Sequence, residues 1–166
     1  DIDEVLNEVM DTAIRLTGAE RGYIMLRERD TGEMRFRVAR NANRQTIDAN
    51  RFTVSQTVVD EVAETRQPVV AKNALLDPRY SAQESIVMHA PRSILCVPLI
   101  VKGNLTGVLY ADNRRIPDLF GDKELSLLVA FANQAAIAIE NARLFDRVRR
   151  ALQEITEMKD LMDNVF

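Results

Sequence analysis

The chain has 166 residues, 28% of them charged and 46% hydrophobic, with a formal net charge of -3. This is the balance of one ordinary globular domain with a real core. Its 22 basic residues are interleaved with 25 acidic ones, which argues against nucleic acid as a main partner. A single cysteine, Cys96, excludes an internal disulfide and fits a reducing, cytoplasmic compartment. With no signal peptide and no apolar run approaching ~20 residues, the segment is not expected to touch a membrane directly, although a larger parent could be anchored.

Ile2, Val5, Leu6, Val9, Met10, Ala13, Ile14 and Leu16 recur at helical spacing, and Gly18 stands where a C-cap glycine belongs, predicting a first helix from Ile2 to Thr17. Tyr23 to Glu28 reads as a short apolar strand. Asp30 to Gly32 supplies a hairpin signal, and Met34, Phe36 and Val38 alternate with Arg35 and Arg37 as a half-buried strand. A loop rich in Asn and Arg follows over 40–50. Ser55 is placed to cap a helix through Val58, Val59, Val62 and Ala63 that ends before Pro68.

Val69 to Ala71 is a short strand. Lys72 to Arg92 shows no long periodicity, contains Pro78 and Pro91, and allows one weak helix around Ser85 to Met88. Unstructured connections of ~20 residues are uncommon unless functional. Ser93 to Val101 and Thr106 to Asp112 are the strongest strands, joined by the turn residues Lys102, Gly103 and Asn104.

The 45 residues from Asp122 to Phe166 hold no Gly or Pro. A helix of that length spans ~67 Å, against a diameter of ~40 Å for a compact domain of this size, so it must protrude. Its first half carries Leu125, Leu128, Val129, Ala132, Ala135, Ala136 and Ile139, a broad face suited to a globular body. From Ala138 and Asn141 onward the 3,4 spacing of Phe145, Val148, Leu152, Ile155, Lys159, Met162 and Phe166 is the seam of a two-helix coiled coil, and a parallel homodimer is expected. Arg143, Arg147, Arg149 and Arg150 read as a solvated face held by Asp146/Arg150 and Arg150/Glu154 pairs. Two units follow: a sensory domain over 1–145 and a coiled-coil signalling helix over 146–166 leading to a further module. The element order predicts an α+β fold, an antiparallel sheet with helices on both faces and a long C-terminal helix.

Catalytic machinery is hard to assemble: no Gly-rich phosphate loop, no His/Cys cluster and no GxSxG elbow is present, so no enzymatic activity is expected of this chain. His89 reads as a loop histidine or as a lone ligand or base. Cys96, mid-strand, reads as a buried structural thiol or as a redox or attachment point.

Arg92-Ser-Ile-Leu-Cys-Val-Pro-Leu, Gly103-Asn-Leu-Thr-Gly-Val-Leu-Tyr-Ala-Asp-Asn113 and Leu127-Leu-Val-Ala-Phe-Ala-Asn-Gln-Ala-Ala-Ile-Ala-Ile-Glu-Asn-Ala-Arg143 together resemble a GAF domain, over roughly Ile2 to Phe145. The resemblance implies a small-ligand sensory module of a bacterial multidomain signalling protein of the sensor histidine kinase type. It also implies terminal helices packed together on one sheet face, a ligand cavity on the other, and homodimerisation through those helices. The cofactor is unknown. Cyclic-nucleotide-binding relatives carry Asn-Lys and then Phe, three residues, Asp-Glu. Here stand Asn113-Arg114, Phe120 and Glu124-Leu125, which speaks against cyclic nucleotide. Cys96 in a strand, and Met88 before His89, speak against covalent bilin, and one cysteine cannot form the disulfide of the methionine sulfoxide reductases built on this fold.

Tyr80, His89, Arg92 and Asp112 are the polar groups expected at the rim of a small-molecule site beneath the Lys72 to Arg92 segment. Arg114 and Glu124, the altered counterparts of the family's charged pair, are expected to form a structural latch. Phe145, Val148, Leu152, Ile155 and Met162 are expected at the dimer interface. The competing reading is a ligand-free dimerisation spacer in a signalling protein or transcription regulator.

Overall fold

The computed structural model describes residues 1–48, 56–74, 77–79 and 93–165. Its elements are α1 (Ile2–Thr17), β1 (Arg21–Arg27), β2 (Met34–Asn41), α2 (Gln56–Thr65), β3 (Val69–Ala71), β4 (Ser93–Val101), β5 (Asn104–Asn113) and α3 (Asp122–Val165). The strands form one sheet in the order β2-β1-β5-β4-β3, and every neighbouring pair is antiparallel. The expected Ser55 cap and the weak helix around Ser85 to Met88 lie outside the described residues.

Helix α1 starts where Asp1 accepts a hydrogen bond from the Asp3 amide at 3.1 Å and ends on Gly18 at φ 75°. The β4–β5 turn puts Lys102 at φ 51° and Gly103 at φ 78°, the primed geometry whose twist matches a hairpin. Gly107 is required by close approach: a Cβ there would overlap the Met25 carbonyl oxygen across the β1–β5 pair.

The strands alternate strictly enough to divide the interior in two. Ile24, Leu26, Leu95, Val97, Leu99, Leu109 and Ala111 face α1 and α3, whose Leu6, Met10, Ile14, Leu128, Ala132, Ala136 and Ile139 complete that core. Tyr23, Met25, Ile94, Cys96, Val108 and Tyr110 face the other way, against Val58, Val59 and Val62 of α2. The fold is therefore α+β with helices on both faces of an antiparallel sheet.

Helix α3 runs 44 residues. Its apolar positions swap sides part way along. Leu128, Ala132, Ala135, Ala136 and Ile139 are buried, and Asp146 is the last buried residue of the helix. At ~100° per residue, Asn141, Phe145, Val148, Leu152 and Ile155 lie on roughly the opposite side from that packed stripe. Phe145 is 64% exposed, Leu152 59% and Ile155 62%. Against the expectation of no apolar run approaching ~20 residues, α3 contains an 18-residue window of mean hydropathy 1.3, long and apolar enough to cross a bilayer by length and composition. The alanine-rich stretch that lines the core contributes much of that apolarity.

Candidate functional site

Asp112 is the penultimate residue of β5, on the α2 side of the sheet and directly across from Arg21 at the start of β1. Alternation places its carboxylate inside, with no exposed surface. An ionised carboxylate in such a place must be held by a cation and by donors. Arg21 supplies both, donating from Nε to Oδ1 at 2.7 Å and from Nη2 to Oδ2 at 3.0 Å, a bidentate fork. The Tyr110 hydroxyl, two residues back on the same strand, donates to Oδ2 at 2.7 Å.

The Tyr110 ring stacks on Tyr23 at 4.6 Å between centroids, and Tyr23 on Phe36 at 6.0 Å. The α2 face thus has an aromatic floor ending in a buried ion pair. Burial, then the charge of Asp112, raises the Tyr110 phenol well above its ordinary range. Burial, then Cys96 and Asp112, does the same to Tyr23. For Arg21, burial works against the charged form, but the hydrogen bond and charge of Asp112 outweigh it and its pKa is raised. Burial also pushes the Cys96 thiol far up, which suits a packed thiol and opposes a reactive one. This network binds and orients; among the described residues it presents no activated nucleophile.

The end of the sheet that carries Asp112 is stitched to the start of α3. The Glu20 amide donates to the Asp112 carbonyl at 3.0 Å. Asn113 Oδ1 accepts from the Arg115 and Ile116 amides, each at 2.8 Å. Ser93 Oγ donates to the Ile116 carbonyl at 2.6 Å and accepts from the Leu119 amide at 3.1 Å. Phe120, fully buried, then anchors the chain in the helix-side core just before α3 begins. At the same sheet end Asn73 Oδ1 is buried with no hydrogen-bond partner among the described residues.

Of the four expected ligand residues, Asp112 is in this network, while Tyr80, His89 and Arg92 lie outside the described residues. The Arg114/Glu124 latch is corrected. Arg114 Nε bonds Glu20 Oε1 at 2.7 Å, while Glu124 Oε2 reaches back to the Gly121 amide at 2.9 Å as a capping carboxylate in the first turn of α3. The loop turns the two side chains to different local partners, which spacing along the chain does not reveal. The Asp146/Arg150 and Arg150/Glu154 pairs are also absent: Asp146 meets Arg149 at 3.5 Å, and Arg143 folds onto the body to donate to the Arg27 carbonyl at 2.9 Å. Sequence reasoning missed Arg21, Tyr23 and Tyr110. The one available signal was that Asp112, at an inward position of an apolar strand, needs a cation; which arginine answers depends on strand register.

A separate groove of about 890 Å³ lies on the helix side, between the β4–β5 hairpin and α3, with Ile100, Leu105, Ile137 and Leu144 on its walls. It is on the opposite face of the sheet from Asp112.

Residues 1–139 match the GAF domain family. The chain belongs to that family. It is 32% identical over 94 residues to hybrid signal transduction histidine kinase G of Dictyostelium discoideum, covering 57% of this chain and 3% of that protein. It is 25% identical over 163 residues to a probable 3',5'-cyclic phosphodiesterase of Caenorhabditis elegans, covering 92% of this chain and 22% of that protein. The chain thus spans a minor part of the length of these relatives. Among solved structures, a GAF domain in its photoproduct state from Synechocystis sp. superposes with a TM-score of 0.70 at 19% identity, covering 89% of this chain and 99% of that one. The GAF-B domain of DevS from Mycobacterium smegmatis gives 0.63 at 22% identity, covering 89% and 99%. Such likenesses speak for the fold.

Proposed function

We propose that this GAF domain is a sensory or relay module of a larger cytoplasmic or membrane-anchored signalling protein of the histidine kinase type, acting without catalysis of its own. Occupancy of the α2 face, with Asp112 and Arg21 at its end, biases the loop that leads into α3. The protruding half of α3, paired with a second copy, passes that bias to the next module. Such a relay needs two helix arrangements of similar energy, and the polar Asn141 and Lys159 within an otherwise apolar seam lower the stability of the paired state, which narrows its energy gap to an alternative arrangement.

The observation that carries this reading is the change of face along α3. A helix that is apolar toward its own body up to Ile139 and apolar on the opposite side beyond it serves two partners. Burying Val148, Leu152 and Ile155 against a twin would contribute roughly 1.5 to 3 kcal/mol for each side chain brought fully out of water. Replacing Leu152 and Ile155 together by Asp is expected to yield folded monomers in analytical ultracentrifugation. An unchanged dimer would move the interface elsewhere, and a monomeric parent chain would remove the relay.

Cyclic nucleotides are not the proposed ligands, because Arg114 and Glu124 are engaged with Glu20 and the Gly121 amide. Calorimetric titration with cyclic AMP and cyclic GMP is expected to show no binding at physiological concentrations. Micromolar affinity for either would reverse that part of the proposal.

A further inference from the structure

Where α3 leaves the body, a depression of about 480 Å³ opens between α3, the start of α1, β2 and the β1–β2 turn. Five guanidinium side chains line it: Arg29 from the β1–β2 turn, Arg37 from β2, and Arg143, Arg147 and Arg150 from α3. The last three are spaced i, i+4 and i+7, so they form one row on a single helix face. Like charges in such a row destabilise a helix unless something neutralises them.

The carboxylates nearby do so only in part. Arg29 and Arg143 share one of them, Glu140, at 3.0 and 3.5 Å. Among the described residues Arg37 has only the exposed Asp3 at 3.8 Å. Glu28 and Asp146, both on the wall, are engaged by Arg35 at 2.6 Å and Arg149 at 3.5 Å, arginines outside the five. Asp30 stands on the wall and works against an anion. Among the described residues Arg147 and Arg150 have no ion-pair partner. Burial, and then the crowding of Arg29, Arg37 and Arg147, press the Arg143 guanidinium down from its ordinary pKa against the pull of Glu140.

We propose that this arginine-lined depression binds a multiply charged oxyanion, the phosphate moiety of a small molecule. Guanidinium forks match phosphate oxygens in pairs, and a bridging anion would relieve the repulsion along the Arg143, Arg147, Arg150 row. The depression is the size of a small-molecule site, not of a protein interface. It also stays open in the proposed dimer, since the row lies near the body side of α3, well away from the Phe145, Val148 and Leu152 seam. An anion there would clamp the exit turn of α3 to the β1–β2 hairpin, a second input to the same helix and independent of the α2 face.

The test is calorimetric titration of the chain with inorganic pyrophosphate at low ionic strength, with folding of each variant checked by circular dichroism. Arg147→Ala and Arg150→Ala touch no carboxylate and are each expected to weaken binding about tenfold, the effect of losing a charged hydrogen bond. Arg147→Lys should fall between. Arg115→Ala, 86% exposed in its side chain and remote from the depression, should leave binding unchanged. Absence of heat with millimolar pyrophosphate, or an equal loss in Arg115→Ala, would overturn the site. Binding of a glutamate-rich peptide without pyrophosphate binding would overturn the small-anion assignment and point to an acidic protein segment.

Discussion

The two halves of α3 are one uninterrupted helix with opposite requirements. From Leu128 to Ile139 its inner face is mostly alanine, which lets α1 and the sheet come close, and every inward position is buried by the chain's own residues. From Phe145 to Val165 its apolar residues are larger and more than half exposed. Helical propensity is similar throughout, so the local sequence makes both halves helical, but only the first is also held by tertiary packing. Intact secondary structure therefore says little about which half is finished and which awaits a partner.

The largest loss is expected inside the body. Arg21→Ala leaves the fully buried Asp112 without its cation and is expected to cost about 3 to 5 kcal/mol in chemical denaturation. A loss under 1 kcal/mol would mean that the Asp112 network is wetter than its geometry shows. Next comes a matched pair of truncations. Leu128→Ala, at a site with no exposure, should cost about 2 to 5 kcal/mol. Leu152→Ala should leave the body's melting within ~0.5 kcal/mol while weakening the dimer. Equal effects on the melting of the body, followed by near-ultraviolet absorbance of the core tyrosines, would erase the distinction between the two halves.

An ion pair that pins α1 to β2 makes stability depend on pH. Asp11 accepts from Arg40 Nε and Nη2, both at 2.9 Å. The Arg40 hydrogen bonds lower the Asp11 pKa despite burial. A carboxylate whose folded pKa is depressed adds stability above its unfolded pKa, about 4, and loses it as pH falls through the folded value. Asp11→Asn should therefore flatten the acid limb of the stability curve below about pH 4, and an unaltered limb would assign acid unfolding to other carboxylates. The smallest effect expected is a null coupling: Arg114→Ala and Glu124→Ala should be additive on melting, because their partners differ. A coupling above ~0.5 kcal/mol in a double-mutant cycle would restore the latch.

Helix α1, strands β3 and β4, and the start of the long helix are all legible in the chain. Their signals are local: a glycine cap at Gly18, continuous apolar runs, and a stretch after Asp122 without Gly or Pro. The swap of apolar face along α3 is legible too, as a change of period. Strands β1 and β5 extend beyond the apolar runs that reveal them, to Arg21 and to Asn104 and Asn113. Hydrogen bonding to a neighbour, not side-chain polarity, decides where a strand ends.

The candidate site was visible only in one residue for the same reason. Asp112 stood out on its strand, but its partnership with Arg21 spans 91 positions and exists only because β1 and β5 align in that register. Arg114 found Glu20 instead of Glu124, and Arg143 turned back to the Arg27 carbonyl, because a long polar side chain takes the partner nearest in space. The sequence alone determined which segments are helix or strand and which faces are apolar. Only the tertiary structure decided which charges meet, since ion pairing depends on distances of a few ångströms between segments that the chain order leaves far apart.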